Sequence, residues 1–120
     1  MTRILVIDDS PDMRALLQAE LQHAGYTVQV AENGRAALKI QGLFRADVVI
    51  TDLFMPEGDG FEVIAALRQK IPAAKIIAMS AARPMDTDYL AVAKKAGADA
   101  TVQKPLKMQA LLDLVKSLAR

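Results

Sequence analysis

Cysteine and tryptophan are absent from this 120-residue chain, and three phenylalanines and two tyrosines are its only aromatics. Without cysteine there is no disulfide and no thiolate metal site, a composition that suits a reducing compartment. With so few aromatic rings, and no basic stripe interleaved with them, no platform for stacking nucleic-acid bases is in prospect. An excess of either charge is missing too. Fifteen Lys and Arg stand against fourteen Asp and Glu, a formal net charge of +1, so no broad field recruits nucleic acid or an anionic membrane. No apolar run approaches the roughly twenty residues that span a bilayer, and the opening MTRILVIDD turns acidic too early for a secretory signal. A soluble, cytoplasmic protein is the expectation, with neither membrane nor nucleic acid among its direct partners. Its 52% apolar content and its length suit a single domain over residues 1–120 that needs no disulfide or structural metal to hold its core.

Short apolar runs alternate with longer stretches of helical period. RILVI at 3–7 reads as a strand; Ser10 then offers an N-cap and Pro11 a first helical residue, with Met13, Leu16, Leu17, Leu21 and Ala24 at helical spacing and Gly25 as the stop. YTVQVA is a second strand, followed by an Asn33-Gly34 turn or cap and a weaker helix carrying Ala37, Ile40 and Phe44. DVVIT is β-branched and continuous, as a central strand buried on both faces requires. The loop DLFMPEGDG precedes a helix marked by Phe61, Ile64, Leu67 and Ile71 and ended before Pro72. KIIAM, the loop SAARPMDTD, the helix YLAVAKKA with Gly97 at its end, the strand ATVQ, and a helix marked by Met108, Leu111, Leu112, Val115 and Leu118 complete the series. Five βα units in strict alternation predict a doubly wound parallel sheet between two helical layers, and a closed eight-fold barrel would need about twice the length.

In such a sheet, ligands bind beyond the carboxyl ends of the strands. Those ends are occupied in order by Asp8 and Asp9, Asp52, Ser80 and Lys104. Three carboxylates at one edge repel unless a cation joins them, and a hard divalent ion with oxygen ligands, Mg²⁺, is the natural one. Lys104 adds a positive point charge and Ser80 a hydroxyl donor, so the set suits phosphoryl transfer, where positioning and charge neutralisation do most of the work. Taken singly, these residues read blandly: the DDS stretch as a turn, Asp52 as a loop or capping acid, Lys104 as solvated. Asp59, between Gly58 and Gly60, reads as a turn former, His23 as an exposed helix residue, and Lys94-Lys95 as a solvated face.

The stretches ILVIDDSPDMRALL, ADVVITDLFMPEGDGFEVI, KIIAMSA and KAGADATVQKPLKMQALL, in that order, resemble the receiver domains of two-component response regulators over nearly the whole chain. The resemblance implies a flavodoxin-like α/β fold, a three-layer (βα)5 sandwich with strand order 2-1-3-4-5. It implies that Asp52 is the phosphoacceptor, that Asp9 binds Mg²⁺ directly and Asp8 mainly through water, and that Asp52 and the Phe54 carbonyl complete the protein ligands. Ser80 matches the hydroxyl residue that moves to bond the new phosphoryl group, Lys104 the lysine that pairs with it, and Lys104-Pro105 a peptide that is usually cis. Ala81 matches a small residue that leaves the phosphoryl group reachable. Implied partners are a histidine kinase or histidine phosphotransfer protein, and an output protein on the face of the fourth helix, fifth strand and fifth helix. The same face pairs many receivers into homodimers. Such a protein is no enzyme in the ordinary sense, catalysing only its own phosphorylation and dephosphorylation.

Two departures from the family pattern shape the expectation. Thr101 stands where receivers commonly carry Tyr or Phe, so the switch made with Ser80 differs from the usual hydroxyl–aromatic coupling. Phe54 and Ala82 cannot orient a water through their side chains, which predicts slow loss of the phosphoryl group. A long loop with Arg83-Pro84 and the DYL helix after it resemble those of stand-alone receivers. Two other functions compete. A pseudo-receiver would act as a constitutive interaction or dimerisation module, and would be marked by loss of the acid pair, Asp52 or Lys104. An aspartyl-phosphate hydrolase of the haloacid dehalogenase type would need a second acid where Phe54 stands.

Overall fold

Period-two alternation in the strands divides the apolar residues between two sides of one sheet. A computed structural model describes residues 2–53, 60–70, 73–80 and 89–119, the side chains at 60–61 and 89–92 aside. The elements run β1 (Arg3–Ile7), α1 (Pro11–His23), β2 (Thr27–Ala31), α2 (Gly34–Phe44), β3 (Val48–Asp52), α3 (Gly60–Lys70), β4 (Lys75–Ser80), α4 (Tyr89–Ala96), β5 (Ala100–Gln103) and α5 (Met108–Leu118). All strand pairs are parallel and the order is β2-β1-β3-β4-β5. This is the expected doubly wound, flavodoxin-like arrangement.

Ile4, Val6, Val48, Ile50, Ile77 and Met79 face Leu17 and Leu21 of α1 and Leu111 and Val115 of α5. Leu5, Ile7, Val49, Ile76 and Ala78 face Ala37 of α2, Val63, Ile64 and Leu67 of α3, and Ala93 of α4. β3 is buried along its whole length, as its unbroken β-branched run predicts. Two residues of the expected α1 stripe depart from it: Ala24 is exposed at the C-cap, and Leu16 is 49% exposed. Met13, Leu17 and Leu21 follow one another at four-residue spacing and take the inward line, leaving Leu16 about 100° to the side. No helix among the described residues is long and apolar enough to cross a membrane.

The helix starts follow from their caps. Ser10 Oγ accepts the Met13 N–H at 3.2 Å, and Asn33 Oδ1 accepts the Ala36 N–H at 2.9 Å, each satisfying a donor with no partner inside the helix. Gly34 opens α2 for a second reason, since a Cβ there would overlap Val63 Cγ2 of α3. Val63 is β-branched and stiff in a helix, so it cannot swing aside cheaply. Gly34→Ala is therefore expected to destabilise the fold by about 1–2 kcal/mol despite alanine's better helix propensity. Urea unfolding measures this, and adding Val63→Ala should make the alanine at 34 nearly neutral.

At the far end of α2, Gln41 is buried, a polar side chain that the helical pattern does not single out. Its amide closes the turn into β3, donating to the Ala46 carbonyl at 3.2 Å and accepting the Ala46 N–H at 2.9 Å. Arg45, between them, holds a left-handed φ of 54°.

Candidate functional site

Strand parity gathers the chemistry. Asp8 follows β1 in the phase of Ile4 and Val6, Asp52 ends β3 in the phase of Val48 and Ile50, and Lys104 follows β5 in the phase of Ala100 and Val102. All three belong to the side of the sheet covered by α1 and α5, at its carboxyl edge. Main-chain bonds carry the ladder to this edge: Asp8 N–H to Ala31 O at 3.1 Å, Leu53 N–H to Met79 O at 3.0 Å, and Lys104 N–H to Ser80 O at 2.8 Å. The Lys104–Pro105 peptide bond is cis.

Lys104 Nζ sits between two carboxylates, 3.3 Å from Asp8 Oδ2 and 3.4 Å from Asp52 Oδ2. Both distances exceed the 2.7–2.9 Å typical of a tight ammonium–carboxylate bond, so the lysine is shared between two acids and committed to neither. Asp8 is fully buried, Asp52 is 6% exposed and Asp9 is exposed. One carboxylate oxygen from each of the three aspartates lies within 4.8 Å of the others. At such a separation the buried pair Asp8 and Asp52 repel by roughly 3–4 kcal/mol at an effective dielectric near 20.

Among the described residues three carboxylates surround one ammonium, a set that a divalent cation would balance. The donors are all oxygen and one of the three acids is solvent-facing, so the set fits a hard ion that keeps several waters, Mg²⁺ in preference to an enclosed Ca²⁺. Asp8 is well prepared for this environment. Its Oδ1 accepts the Ser10 N–H at 2.9 Å, a local turn at the start of α1, where the helix dipole also favours negative charge.

Ser80 and Thr101 lie on the other side of the sheet. Ser80 is fully buried in the phase of Ile76 and Ala78, one residue beyond Met79, the register partner of Asp52. Its hydroxyl has no hydrogen-bond partner among the described residues, so a donor stands uncommitted beside the acid edge. Thr101 is half-buried, pairs with Ala78 in register, and shares the side of Ser80 on the neighbouring strand. Phe54, Ala81, Ala82, Asp59 and the Arg83-Pro84 loop lie outside the described residues.

One residue of the site was not legible from the strand ends. Arg14 of α1 donates Nη1 to the Asp8 main-chain carbonyl at 2.8 Å. The available signal was local: a cation in the opening turns of a helix opposes the helix dipole and calls for a compensating contact.

Residues 4–116 match the model of the response regulator receiver domain. The response regulator MprA of Mycolicibacterium vanbaalenii is 35% identical over 118 residues, 98% of this chain and 50% of that protein. The transcriptional regulatory protein KdpE of Mycobacterium tuberculosis is 37% identical over 120 residues, the whole of this chain and 52% of that protein. The chain thus spans about half the length of the curated relatives it matches. Among solved structures, the response regulator TrrA of Thermotoga maritima, in complex with Mg²⁺-BeF, superposes with a TM-score of 0.86 at 42% identity, covering 98% of this chain and 99% of that one. The chemotaxis protein CheY4 of Vibrio cholerae gives a TM-score of 0.89 at 30% identity, with 98% of each chain covered. With the strand order, the three-aspartate edge and the matched span in agreement, the chain belongs to the family of two-component response regulator receiver domains.

Proposed function

We propose that the protein is a phosphoacceptor receiver in which Asp52 takes a phosphoryl group from a histidine kinase or histidine phosphotransfer protein. An Asp52 carboxylate oxygen forms the new O–P bond as the P–N bond of the phosphohistidine breaks, and the imidazole leaves with the electron pair of that bond. The observation that carries this reading is Lys104 Nζ, held within 3.4 Å of both Asp8 and Asp52 and loosely bound to each. An ammonium so placed can follow the charge from the carboxylate to the phosphoryl oxygens without crossing the site.

Asp8, Asp9 and Asp52, with the main-chain carbonyl of Phe54, are the residues that would hold Mg²⁺. When bound, that ion neutralises charge on the phosphoryl oxygens. The Mg²⁺-BeF complex of the 42% identical TrrA supports the assignment by likeness. Ser80, buried and with no hydroxyl partner among the described residues, is the residue proposed to bond the new phosphoryl group, and Thr101 stands on the same side of the sheet as the second switch position. The response is read by an output protein on the face of α4, β5 and α5. The site of action is the cytoplasm.

The test is intact-mass spectrometry after incubation with acetyl phosphate and Mg²⁺. The expected result is the gain of one phosphoryl group, lost in Asp52→Asn and in a metal-free sample. No gain by folded, Mg²⁺-saturated protein would turn the assignment to a constitutive interaction module.

A further inference from the structure

We infer that Arg14 is a positioning residue for the divalent-cation site and sets its affinity by fixing the peptide that joins Asp8 to Asp9. The inference rests on the receiver reading above and assigns a role to a residue on α1, outside the ring of strand-end acids.

Asp8 is held at every polar atom. Its N–H bonds Ala31 O, its Oδ1 accepts from Ser10 N–H, its Oδ2 lies 3.3 Å from Lys104 Nζ, and its carbonyl accepts Arg14 Nη1 at 2.8 Å. The last contact differs from the others in what it governs. The Asp8 carbonyl and the Asp9 N–H belong to one planar unit, so a donor locked on that carbonyl fixes the plane from which Asp9 departs. Asp9 needs such help. It is exposed and its carboxylate has no hydrogen bond or ion pair among the described residues, yet one of its oxygens stands within 4.8 Å of the other two acids. Its place is therefore set by the main chain, and Arg14 is the side chain that holds that main chain.

Two effects of Arg14 oppose one another. Its positive charge repels a divalent cation, while its hydrogen bond keeps a ligand in place. The charge is half-buried, so solvent and salt screen much of the repulsion. Partners just outside a metal's own ligands commonly set affinity by 10–100-fold. Geometry should therefore outweigh charge.

The test measures binding directly, by titrating the full chain with Mn²⁺ and following the electron paramagnetic resonance signal of the free ion. Circular dichroism at the same temperature establishes that each variant is folded. Arg14→Gln, which keeps part of the stem but loses charge and reach, is expected to bind Mn²⁺ roughly tenfold more weakly than wild type. Arg14→Lys should fall between them. In an Asp9→Ala background the Arg14→Gln effect should shrink to within about twofold, because the positioning acts through Asp9. Arg14→Gln binding as tightly as wild type, or tighter, would overturn the inference. So would an equal loss with and without Asp9, the mark of a purely structural role. Failure of the receiver reading itself looks different: wild type would then show no Mn²⁺ site weakened by Asp52→Asn.

Discussion

Arg68→Ala is expected to lower the unfolding free energy by about 3 kcal/mol and the melting temperature by about 10 °C. Arg68, near the end of α3, gathers two main-chain carbonyls and a carboxylate from outside its helix. Nη1 donates to Ala74 O at 2.8 Å, Nε and Nη2 to Gly97 O at 3.1 and 2.7 Å, and Nη2 to Asp99 Oδ2 at 2.6 Å. The same Asp99 oxygen accepts the Ile76 N–H at 2.8 Å, so the guanidinium also braces the start of β4 against the entry to β5. Alanine would leave two carbonyls and a carboxylate short of their donor. Side-chain exposures of 28% and 29% for Arg68 and Asp99 let water relieve part of that loss, which is why the expected cost is well below the sum of the bonds. Gly97 is tied to the same contact: its φ is +127°, and a Cβ there would stand 3.2 Å from Arg68 Cγ. Arg68→Lys should recover no more than about a third of the stability, since a single ammonium cannot reproduce the planar fork. Denaturant unfolding with an unchanged slope is the measurement. A loss below about 1 kcal/mol would show that water replaces the arginine almost freely.

The second large effect concerns Lys104. Lys104→Ala is expected to slow phosphoryl gain from acetyl phosphate by at least about 100-fold, the usual consequence of deleting one charge-stabilising donor. The same substitution should strengthen Mn²⁺ binding several-fold, because the cation then faces three carboxylates with no competing ammonium. Without metal the variant should be less stable by about 3 kcal/mol, since Asp8 and Asp52 remain buried and lose their shared counter-charge. Metal-free unfolding, Mn²⁺ titration and the rate of mass gain report the three parts separately. Weaker metal binding together with a wild-type rate would contradict the shared-lysine geometry.

Legibility in the sequence depended on the kind of interaction. β1, β3 and β4 announce themselves because apolar, β-branched runs have no other economical place than a buried parallel sheet, and each run stops on the polar residue that later lies at the site. Asp8, Asp9, Asp52 and Lys104 could be gathered on one edge from that rule alone, although the neighbour relations of the strands came from resemblance. Gln41, Arg68 and Arg14 were not legible. Each uses a side chain to satisfy main-chain groups, Gln41 five residues on, Arg14 six residues back and Arg68 as far as 29 residues on, and such bonds leave no periodic trace. Leu16 went astray for the opposite reason. Periodicity permits two neighbouring leucines on a stripe, but the sheet accepted Leu17 and left Leu16 at its border.

Borohydride trapping tests the proposed role of Asp52 as the phosphoryl carrier. Reduction of an acyl phosphate converts the aspartate to homoserine, which peptide mass mapping locates. After acetyl phosphate and Mg²⁺, the expected result is homoserine at position 52, with Asp8 and Asp9 intact and nothing trapped when metal is withheld. Homoserine at position 8 or 9, or a trapped residue elsewhere in the chain, would contradict it.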